Sequence, residues 1–297
     1  DKLESVYPCN IKTDEEAPAN ISFVADKKFS AAVKVAKPKA LIPVFPGTNC
    51  EYDTAKAFDK AGADPEIFVI NNLTSSDVAH SVETFASKVR QSQMIFIPGG
   101  FSGGDEPDGS GKFITAFFRN QEIKEAVTEL LEERDGLMAG ICNGFQALIK
   151  LGLVPFGKIM DTDETFPTLT YNKIGRHQSK LVQIRIASNN SPWLAATEVG
   201  DIYTVPISHG EGRFMASPEL LKQMASDGRI ITQYVDMSGN AASDIQFNPN
   251  GSDWAVEGIV SPDGRVLGKM GHSERIGNGL YKNCLLYTSP SPRDSTS

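Results

Sequence analysis

The chain has 297 residues, enough for one large domain or two small ones, and 40% of them are hydrophobic, which suffices for a sizeable core. Its 29 Lys and Arg residues against 37 Asp and Glu residues leave a net charge of −8, which argues against a protein that binds duplex nucleic acid through a basic face. No apolar run approaches the roughly 18 residues of a membrane span, and the first residues, DKLESVYPCN, do not have the pattern of a secretory signal.

The cysteines are few and far apart. Cys9, Cys50, Cys142 and Cys284 form no CxxC pair, so the sequence predicts neither a structural metal site nor a disulfide-rich scaffold. Such cysteine usage favours a reducing compartment. We therefore expect an acidic, globular protein of the cytoplasm that holds no metal.

The first half of the chain consists of a polar N-terminal segment followed by alternating strand-like and helix-like segments. Residues 1–38 mix charges and prolines and predict an extended connector. From residue 39 onward, short apolar runs alternate with segments whose apolar residues recur at helical spacing. This alternation predicts an α/β domain with a mostly parallel sheet, helices on both faces, and loop ends along one edge. The predicted strands are 41–45, 66–70, 94–98 and 136–141, and the predicted helices lie between Asn49 and Gly62 and over 74–90, 112–133 and 145–153.

The second half is richer in strands. One helix is predicted around 217–227, and the domain is expected to end near residue 283. The Ser/Pro-rich residues 284–297 cannot contribute to a core and predict a disordered tail outside the domain. The predicted additional strands are 181–187, 201–207, 230–235, 254–260 and 265–270.

One cysteine lies on a predicted strand-to-helix turn. Gly140-Ile141-Cys142-Asn143-Gly144 has the nucleophile-elbow pattern with Cys in place of Ser. Such a turn exposes the thiol at the strand end, and the helix that follows lowers the thiol pKa. The backbone N–H of Asn143 then lies where an oxyanion would form. The alternative interpretation is a small buried structural cysteine.

A thiol nucleophile needs a base, and the base needs an orienting group. His272 and Glu274 follow a predicted strand and are two residues apart, so Glu274 can hold the His272 ring. His209, in the glycine-rich segment SHGEGR (208–213), competes for the role of base, and we assign it to the lining of the pocket. His80 and His177 are expected to be ordinary surface residues.

A glycine-rich segment, PGGFSGGD (98–105), follows the third predicted strand. It has neither the GxxxxGK[ST] order of a P-loop nor a GxGxxG pattern, so a nucleotide site is poorly supported. A loop that supplies a second oxyanion donor to the thiol is the preferred interpretation, and a plain surface turn is the alternative.

These segments together resemble a known family, the class I glutamine amidotransferase domain of phosphoribosylformylglycinamidine synthase. The resemblance implies a flavodoxin-like fold over residues 39–283 and the use of glutamine as a source of ammonia for purine biosynthesis. The segments that carry the resemblance, in chain order, are FPGTNCEYDTAKAF (45–58), PGGFSGGD (98–105), GICNGFQAL (140–148), SHGEGR (208–213), FNPNGS (247–252) and GHSER (271–275).

The resemblance also implies roles for individual residues. Cys142 is the nucleophile, His272 the base and Glu274 its orienting group. Residues expected at the oxyanion hole are Gly100, Phe101 and Asn143, and residues expected to bind glutamine are Gln146, His209, Gly210 and Glu211.

The resemblance implies a partner as well. A synthetase domain, normally fused N-terminally in the long form of the enzyme, binds ATP and Mg²⁺ and uses the ammonia to amidate formylglycinamide ribonucleotide; no cofactor is expected on this chain. Two alternatives stay open: a cysteine hydrolase or peptidase of the same fold group, and a glutaminase-like module that regulates without catalysis. The 130 residues between Cys142 and His272 favour the amidotransferase.

Overall fold

The structure is a computed structural model that describes residues 18–26, 29, 34–101 and 111–275. Part of the expected connector, residues 102–105 of the glycine-rich segment and the expected tail lie outside these ranges. The strands are β1 Lys39–Val44, β2 Asp64–Val69, β3 Met94–Ile97, β4 Leu137–Ile141, β5 Thr168–Tyr171, β6 Gln178–Ile186, β7 Ile202–His209, β8 Glu211–Met215, β9 Ile230–Val235, β10 Val256–Val260 and β11 Val266–Lys269. The helices of two turns or more are α1 Glu51–Lys60, α2 Ser75–Gln91, α3 Lys112–Phe118, α4 Gln121–Thr128, α5 Asn143–Leu151 and α6 Pro218–Ser226.

Nine strands form one sheet in the order β2-β1-β3-β4-β11-β10-β9-β6-β7. Strands β2, β1, β3, β4 and β11 pair in parallel, whereas β11, β10, β9, β6 and β7 pair antiparallel in succession. Because each antiparallel pairing reverses direction, only β10 and β6 run against the rest. The predicted mostly parallel sheet with added strands in the second half is confirmed.

Helices cover both faces of the parallel half, because successive side chains of a strand point to opposite faces. On one face the Phe96 ring of β3 packs edge-on against Phe58 of α1, with ring centroids 5.4 Å apart. On the other face α5 lies so close that a Cβ on Gly144 would come within 3.0 Å of the Ile97 Cβ. This two-sided burial explains why β1 and β4 are continuous apolar runs.

The prediction of one continuous helix over 112–133 is wrong. The segment contains two helices, α3 and α4, and ends with a wider helical turn over Glu129–Glu133. The break falls at Asn120, whose backbone is extended and whose side chain accepts a hydrogen bond from the Glu122 N–H at 3.0 Å. Asn120 thus caps a new helix, a preference of Asn that the apolar periodicity does not reveal.

The second half contains two strands that the periodicity missed. Strands β5 and β8 form a separate antiparallel pair. Strand β8 begins at Glu211, so the glycine-rich segment around His209 joins β7 to β8 within a continuous β-like run. Gly210 interrupts the pattern of apolar residues there, which hides the second strand from a sequence analysis.

The described part of the expected connector packs against this domain. Phe23 N–H donates to the Ala187 carbonyl at 2.9 Å, and Ile21 N–H donates to the Gln233 side chain at 2.8 Å. Residues 18–26 therefore run along the end of β6. Within the ranges that the structure describes, no helix is both long and apolar enough to cross a membrane.

Candidate active site

Four parallel strands bring the candidate residues to one edge of the sheet. Strands β1, β3, β4 and β11 are neighbours and point the same way, so the loops after their carboxyl ends meet, as in other open α/β sheets. Cys50, Gly99, Cys142 and His272 come from these four loops. The sequence prediction that Cys142 and His272 converge, although 130 residues apart, is therefore consistent with the structure.

Cys142 occupies a strained turn between β4 and α5. Its backbone has φ 55° and ψ −106°, a conformation that L-residues rarely adopt. The turn needs glycines on both sides: a Cβ on Gly140 would lie 2.6 Å from the Gly144 carbonyl carbon, and a Cβ on Gly144 would lie 2.1 Å from the Ile97 oxygen. The predicted strand–turn–helix elbow is confirmed in its geometry. The expected exposure of the thiol is wrong, because Cys142 is only 3% exposed beneath the surrounding loops.

His272 and Glu274 form a buried pair on the loop after β11. The His272 Nδ1 lies 2.6 Å from Glu274 Oε1, and the two side chains are 2% and 4% exposed. This bond places the ring proton on Nδ1 and leaves Nε2 for Cys142. A Cβ at Gly99 would lie 2.6 Å from the His272 Cε1 and 3.4 Å from the Cys142 Cβ, so the bare glycine lets the ring approach the cysteine.

The two partners shift each other's protonation. Burial raises the pKa of the Cys142 thiol, but hydrogen bonds and positive charge from His209 and His272 lower it more, to about 6. Burial lowers the pKa of His272, but the Glu274 carboxylate and the contacts with Cys142 and Cys50 raise it well above its usual range. Both shifts favour a thiolate–imidazolium pair at neutral pH, which is the reactive form of a cysteine nucleophile.

A buried ion pair supports the loop that carries His272. Glu257, fully buried on β10, accepts the Gly271 N–H at 2.6 Å and lies 3.4 Å from the Lys269 ammonium. Lys269 in turn donates to the Gly271 carbonyl at 3.2 Å and to the Ser273 hydroxyl at 2.7 Å. Sequence reasoning missed both charges, since single charged residues inside strand-like runs carry no signal of what they bond.

The residues expected at the oxyanion hole differ in their surroundings. Asn143 begins α5 directly after the sulfur-bearing residue. Gly100 is pressed against the neighbouring loop, where a Cβ would lie 2.4 Å from the Gly47 oxygen. The Phe101 N–H already donates to that same Gly47 oxygen at 2.8 Å, so this N–H is engaged and is not an oxyanion donor in this geometry.

The residues expected to bind glutamine lie on the loop beside Cys142 and on the first turn of α5. Gln146 accepts from the Asn143 side chain at 3.0 Å and donates to the Glu211 carbonyl at 2.6 Å. Both ends of its amide are thus used to join α5 to the 208–213 segment, and contact with a substrate stays a prediction. The Gly210 carbonyl accepts from the Asn172 N–H at 2.9 Å, and Glu211 is buried.

Cys50 is a functional candidate that sequence reasoning missed. Its buried Sγ lies 3.8 Å from the His272 Nδ1 and accepts from the Arg275 guanidinium at 3.0 Å. The available signal was its position in FPGTNCE, directly after the first strand. Cys50, His272 and Glu274 place ligand atoms within 4.8 Å of one another, but the adjacent Arg275 cation and the existing His272–Glu274 bond make this set a poor site for a metal ion.

A cavity of about 700 Å³ lies behind His272, on the sheet face opposite α5. Its floor is apolar, with Ala139, Ile141 and Leu267, and His272 and Arg275 stand at one end. Cys142 is not among its described lining residues, so this space does not present glutamine to the thiol.

Comparisons with known proteins agree with this geometry. The model of the CobB/CobQ-like glutamine amidotransferase domain family matches residues 37–292. The phosphoribosylformylglycinamidine synthase subunit PurQ of Dehalococcoides mccartyi is 33% identical over 245 residues, which cover 82% of this chain and 88% of that protein. The PurQ subunit of Thermus thermophilus is 34% identical over 239 residues, covering 80% and 90%.

A solved structure extends the likeness to three dimensions. A chain in the structure of PurLQS from Thermotoga maritima is 28% identical, with a TM-score of 0.57, and the match covers 80% of this chain and 89% of that one. A family match over most of the length, with relatives above 30% identity, is more than a shared fold. The chain belongs to the CobB/CobQ-like glutamine amidotransferase domain family.

Proposed function

We propose that this chain is the glutaminase component of phosphoribosylformylglycinamidine synthase, which releases ammonia from glutamine for purine biosynthesis. The relatives named above are subunits of this enzyme, and the match covers most of the length of each. The observation that carries the proposal is the strained Cys142 turn facing the buried His272–Glu274 pair. We assign Cys142 as the nucleophile, His272 as the general acid and base, and Glu274 as the group that orients His272.

The chemistry follows from these assignments. The Cys142 thiolate forms a bond to the side-chain carbonyl carbon of glutamine, and the resulting oxyanion accepts hydrogen bonds from backbone N–H groups of the turn. When the carbon–nitrogen bond breaks, the His272 imidazolium gives its Nε2 proton to the leaving nitrogen, which departs as ammonia. Water then attacks the thioester, His272 takes its proton, and glutamate leaves as the thiolate is restored.

A synthetase partner uses the ammonia in this proposal. We propose that the partner binds ATP and Mg²⁺, that this chain needs no cofactor of its own, and that both work in the cytoplasm. PurLQS of Thermotoga maritima is an example of a relative whose name joins this subunit to others. Fusion of the synthetase to the N-terminal side of residue 39 is part of the proposal, and the relatives matched are named as separate subunits.

Covalent labelling tests the proposal directly. The chain is incubated with an electrophilic glutamine analogue, and intact-mass analysis is followed by peptide mapping. We expect a single adduct on Cys142, blocked by excess glutamine and absent from Cys142→Ser. Cys50→Ser is the matched control, since it removes the other buried thiol of the site and is expected to keep the adduct.

Three further results bear on the proposal. Absence of an adduct on the folded chain, both alone and with the synthetase portion added, contradicts it. Glutamate formation that is weak alone and rises with the synthetase portion supports it. Equal turnover of simple esters and glutamine would instead indicate a general cysteine hydrolase.

A further inference from the structure

Residues 18–26 of the expected connector, here called the connector segment, have a specific seat on the domain. A Cβ on Gly228 would lie 2.4 Å from the Phe23 Cδ1, so only glycine leaves room for the Phe23 ring. Two residues further on, the Ala25 N–H donates to the Asn189 side chain at 2.8 Å. These contacts hold an extended peptide at a defined place beside β6 and β9.

Gln233 of β9 joins the connector segment to the loop that precedes β10. Its side chain is fully buried: Oε1 accepts the Ile21 N–H at 2.8 Å, and Nε2 donates to the Ala19 carbonyl at 3.2 Å and to the Trp254 carbonyl at 2.9 Å. Both donors of the amide group are therefore in use, one on the connector segment and one on Trp254. A satisfied buried amide of this kind fixes the two segments that it bonds relative to each other.

The carbonyl that Gln233 holds belongs to a strained stretch of backbone. Trp254 has φ 51° and ψ 23°, and Ala255 has φ 57°, which is the left-handed region that residues with a Cβ disfavour. In the ranges that the structure describes, the other non-glycine residues with positive φ are Asp135 and Cys142. Backbone in such a conformation persists only where its surroundings fix it. The bond from Gln233 is one such restraint on Trp254.

The strained pair lies between two contacts of the active site. Asn250, four residues before Trp254, places its Oδ1 2.8 Å from the His209 Nε2. Glu257, three residues after Trp254, accepts the Gly271 N–H at 2.6 Å, directly before the proposed general base. Because the stretch between these contacts is short, a change in the Trp254 conformation would displace both of them.

We propose that Gln233 is a positioning residue of the active site, which uses the seated connector segment to fix Trp254 and, through it, the contacts that orient His209 and His272. The inference rests on the proposed function, because both histidines belong to the site described there. It gives the connector segment a role in the geometry of the site, although the segment lies outside residues 37–292, which the family model matches.

The positioning has a measurable consequence at Cys142. Burial raises the pKa of the Cys142 thiol, and hydrogen bonds and positive charge from His209 and His272 lower it more, to about 6. Displacement of the histidines weakens their effect, so the thiol would lose its proton at higher pH. A variant that is merely less stable would keep the original pH dependence in its folded molecules.

The rate of Cys142 alkylation by iodoacetamide against pH tests the inference in the whole chain, with peptide mapping to count Cys50 separately. We expect half-maximal reactivity of the unmodified chain near pH 6. Gln233→Met loses all three bonds and is expected to shift this midpoint upward by about one unit. Ile21→Pro removes the N–H that Gln233 accepts and is expected to shift the midpoint upward by about half a unit. The double variant should match Gln233→Met, because the connector segment acts through Gln233.

Asn189→Ala is the matched control, since it removes the bond to Ala25 without reaching Gln233, and it is expected to leave the midpoint unchanged. An unchanged midpoint in Gln233→Met overturns the inference, and so does a double variant whose shift is the sum of the two single shifts. If Gln233→Met fails to fold, Ile21→Pro decides: a midpoint above that of Asn189→Ala supports the inference, and an equal midpoint overturns it. Protection of Cys142 by glutamine is measured in the unmodified chain. Protection with an unchanged Gln233→Met midpoint rejects the role of Gln233 alone, whereas absence of protection contradicts the proposed function.

Discussion

The Cys142 turn and the His272 loop meet at one edge of the sheet but are built in different ways. The turn is formed by five consecutive residues, and its contacts are short: Gly140 against Gly144, and Gly144 against the end of β3. The His272 loop has local bonds from Lys269 and Glu274, but these do not fix its place at the sheet edge. Its position depends on Glu257 of β10, on the Pro206 carbonyl of β7, which accepts the His272 N–H at 2.9 Å, and on Cys50 after β1.

The difference teaches where each region is vulnerable. The turn stores backbone strain that its own glycines allow, so a change there acts on the nucleophile at once. The loop is held by buried polar contacts from distant segments, so changes far along the chain can displace the base. We therefore expect substitutions in the turn to act directly on Cys142, and the His272 loop to be sensitive also to substitutions in distant segments.

The largest effect is expected from the nucleophile itself. Cys142→Ala removes the reacting sulfur from the turn and is expected to lower glutamine hydrolysis by at least about 10⁴-fold. The folded structure should persist, since alanine fits the space of the thiol. Initial rates of glutamate formation measure the first effect and thermal unfolding the second. Residual activity above a hundredth of the original would contradict the assignment.

The next largest effect is expected in the loop. Glu274→Gln keeps the size of the side chain but removes the charge that holds the His272 imidazolium, so kcat is expected to fall about 10³-fold. Because the carboxylate makes the largest contribution that raises the pKa of His272, the imidazolium of the variant should lose its proton at lower pH, and its rate should fall at lower pH than that of the original chain. Full pH profiles of both proteins give the measurement, and superimposable profiles would remove Glu274 from the triad.

A substitution in the turn tests its steric design. In an open helix, Gly144→Ala would favour folding by about 1 kcal/mol, but here the new Cβ meets the Ile97 oxygen at 2.1 Å. We expect the free energy of unfolding to drop by about 3 kcal/mol. Urea unfolding gives the value. Gly62 has φ 87°, and a Cβ there meets nothing within 4 Å. Gly62→Ala therefore measures backbone strain without a steric clash and is expected to cost about 1 kcal/mol.

A remote substitution tests the support of the loop. Glu257→Gln breaks the buried pair with Lys269 and weakens the bond to the Gly271 N–H, with an expected loss of stability of about 2 kcal/mol. Since Glu257 holds the Gly271 N–H, directly before His272, kcat should fall while the KM for glutamine stays the same. Adding Lys269→Met to this variant is expected to restore stability but not kcat. Recovery of both would mean that the pair serves the fold only.

The smallest effect is expected at the edge of the site. Cys50→Ala removes the sulfur that Arg275 bonds at 3.0 Å and that touches the His272 ring. One such contact contributes about 1 kcal/mol, so kcat/KM should fall about fivefold. Steady-state kinetics give kcat/KM for the original chain and for Cys50→Ala, and Cys142→Ala serves as the inactive reference. A loss as large as that of Cys142→Ala would place Cys50 among the reacting groups.

Much of the fold was predictable from local patterns. Apolar runs gave β1, β3 and β4, and the stripe of Val82, Phe85 and Val89 gave α2, because a buried face imposes its period on the sequence. The break at Asn120 and the pair β5–β8 were missed because a cap and an interrupted strand depend on single residues. Such residues carry weaker signals than a repeated period.

The candidate site likewise has features that local sequence determines and features that depend on tertiary contacts. The sequence by itself determined that residues 140–144 form an elbow, since a strand-to-helix turn of this tightness excludes a Cβ on either flank. Only the tertiary structure decided that the Phe101 N–H is engaged with Gly47, that Gln146 joins two loops, and that Asn250 orients His209. These contacts join residues that are 54, 65 and 41 positions apart along the chain. Their geometry arises from the packing of the whole sheet, which no local pattern of residues records.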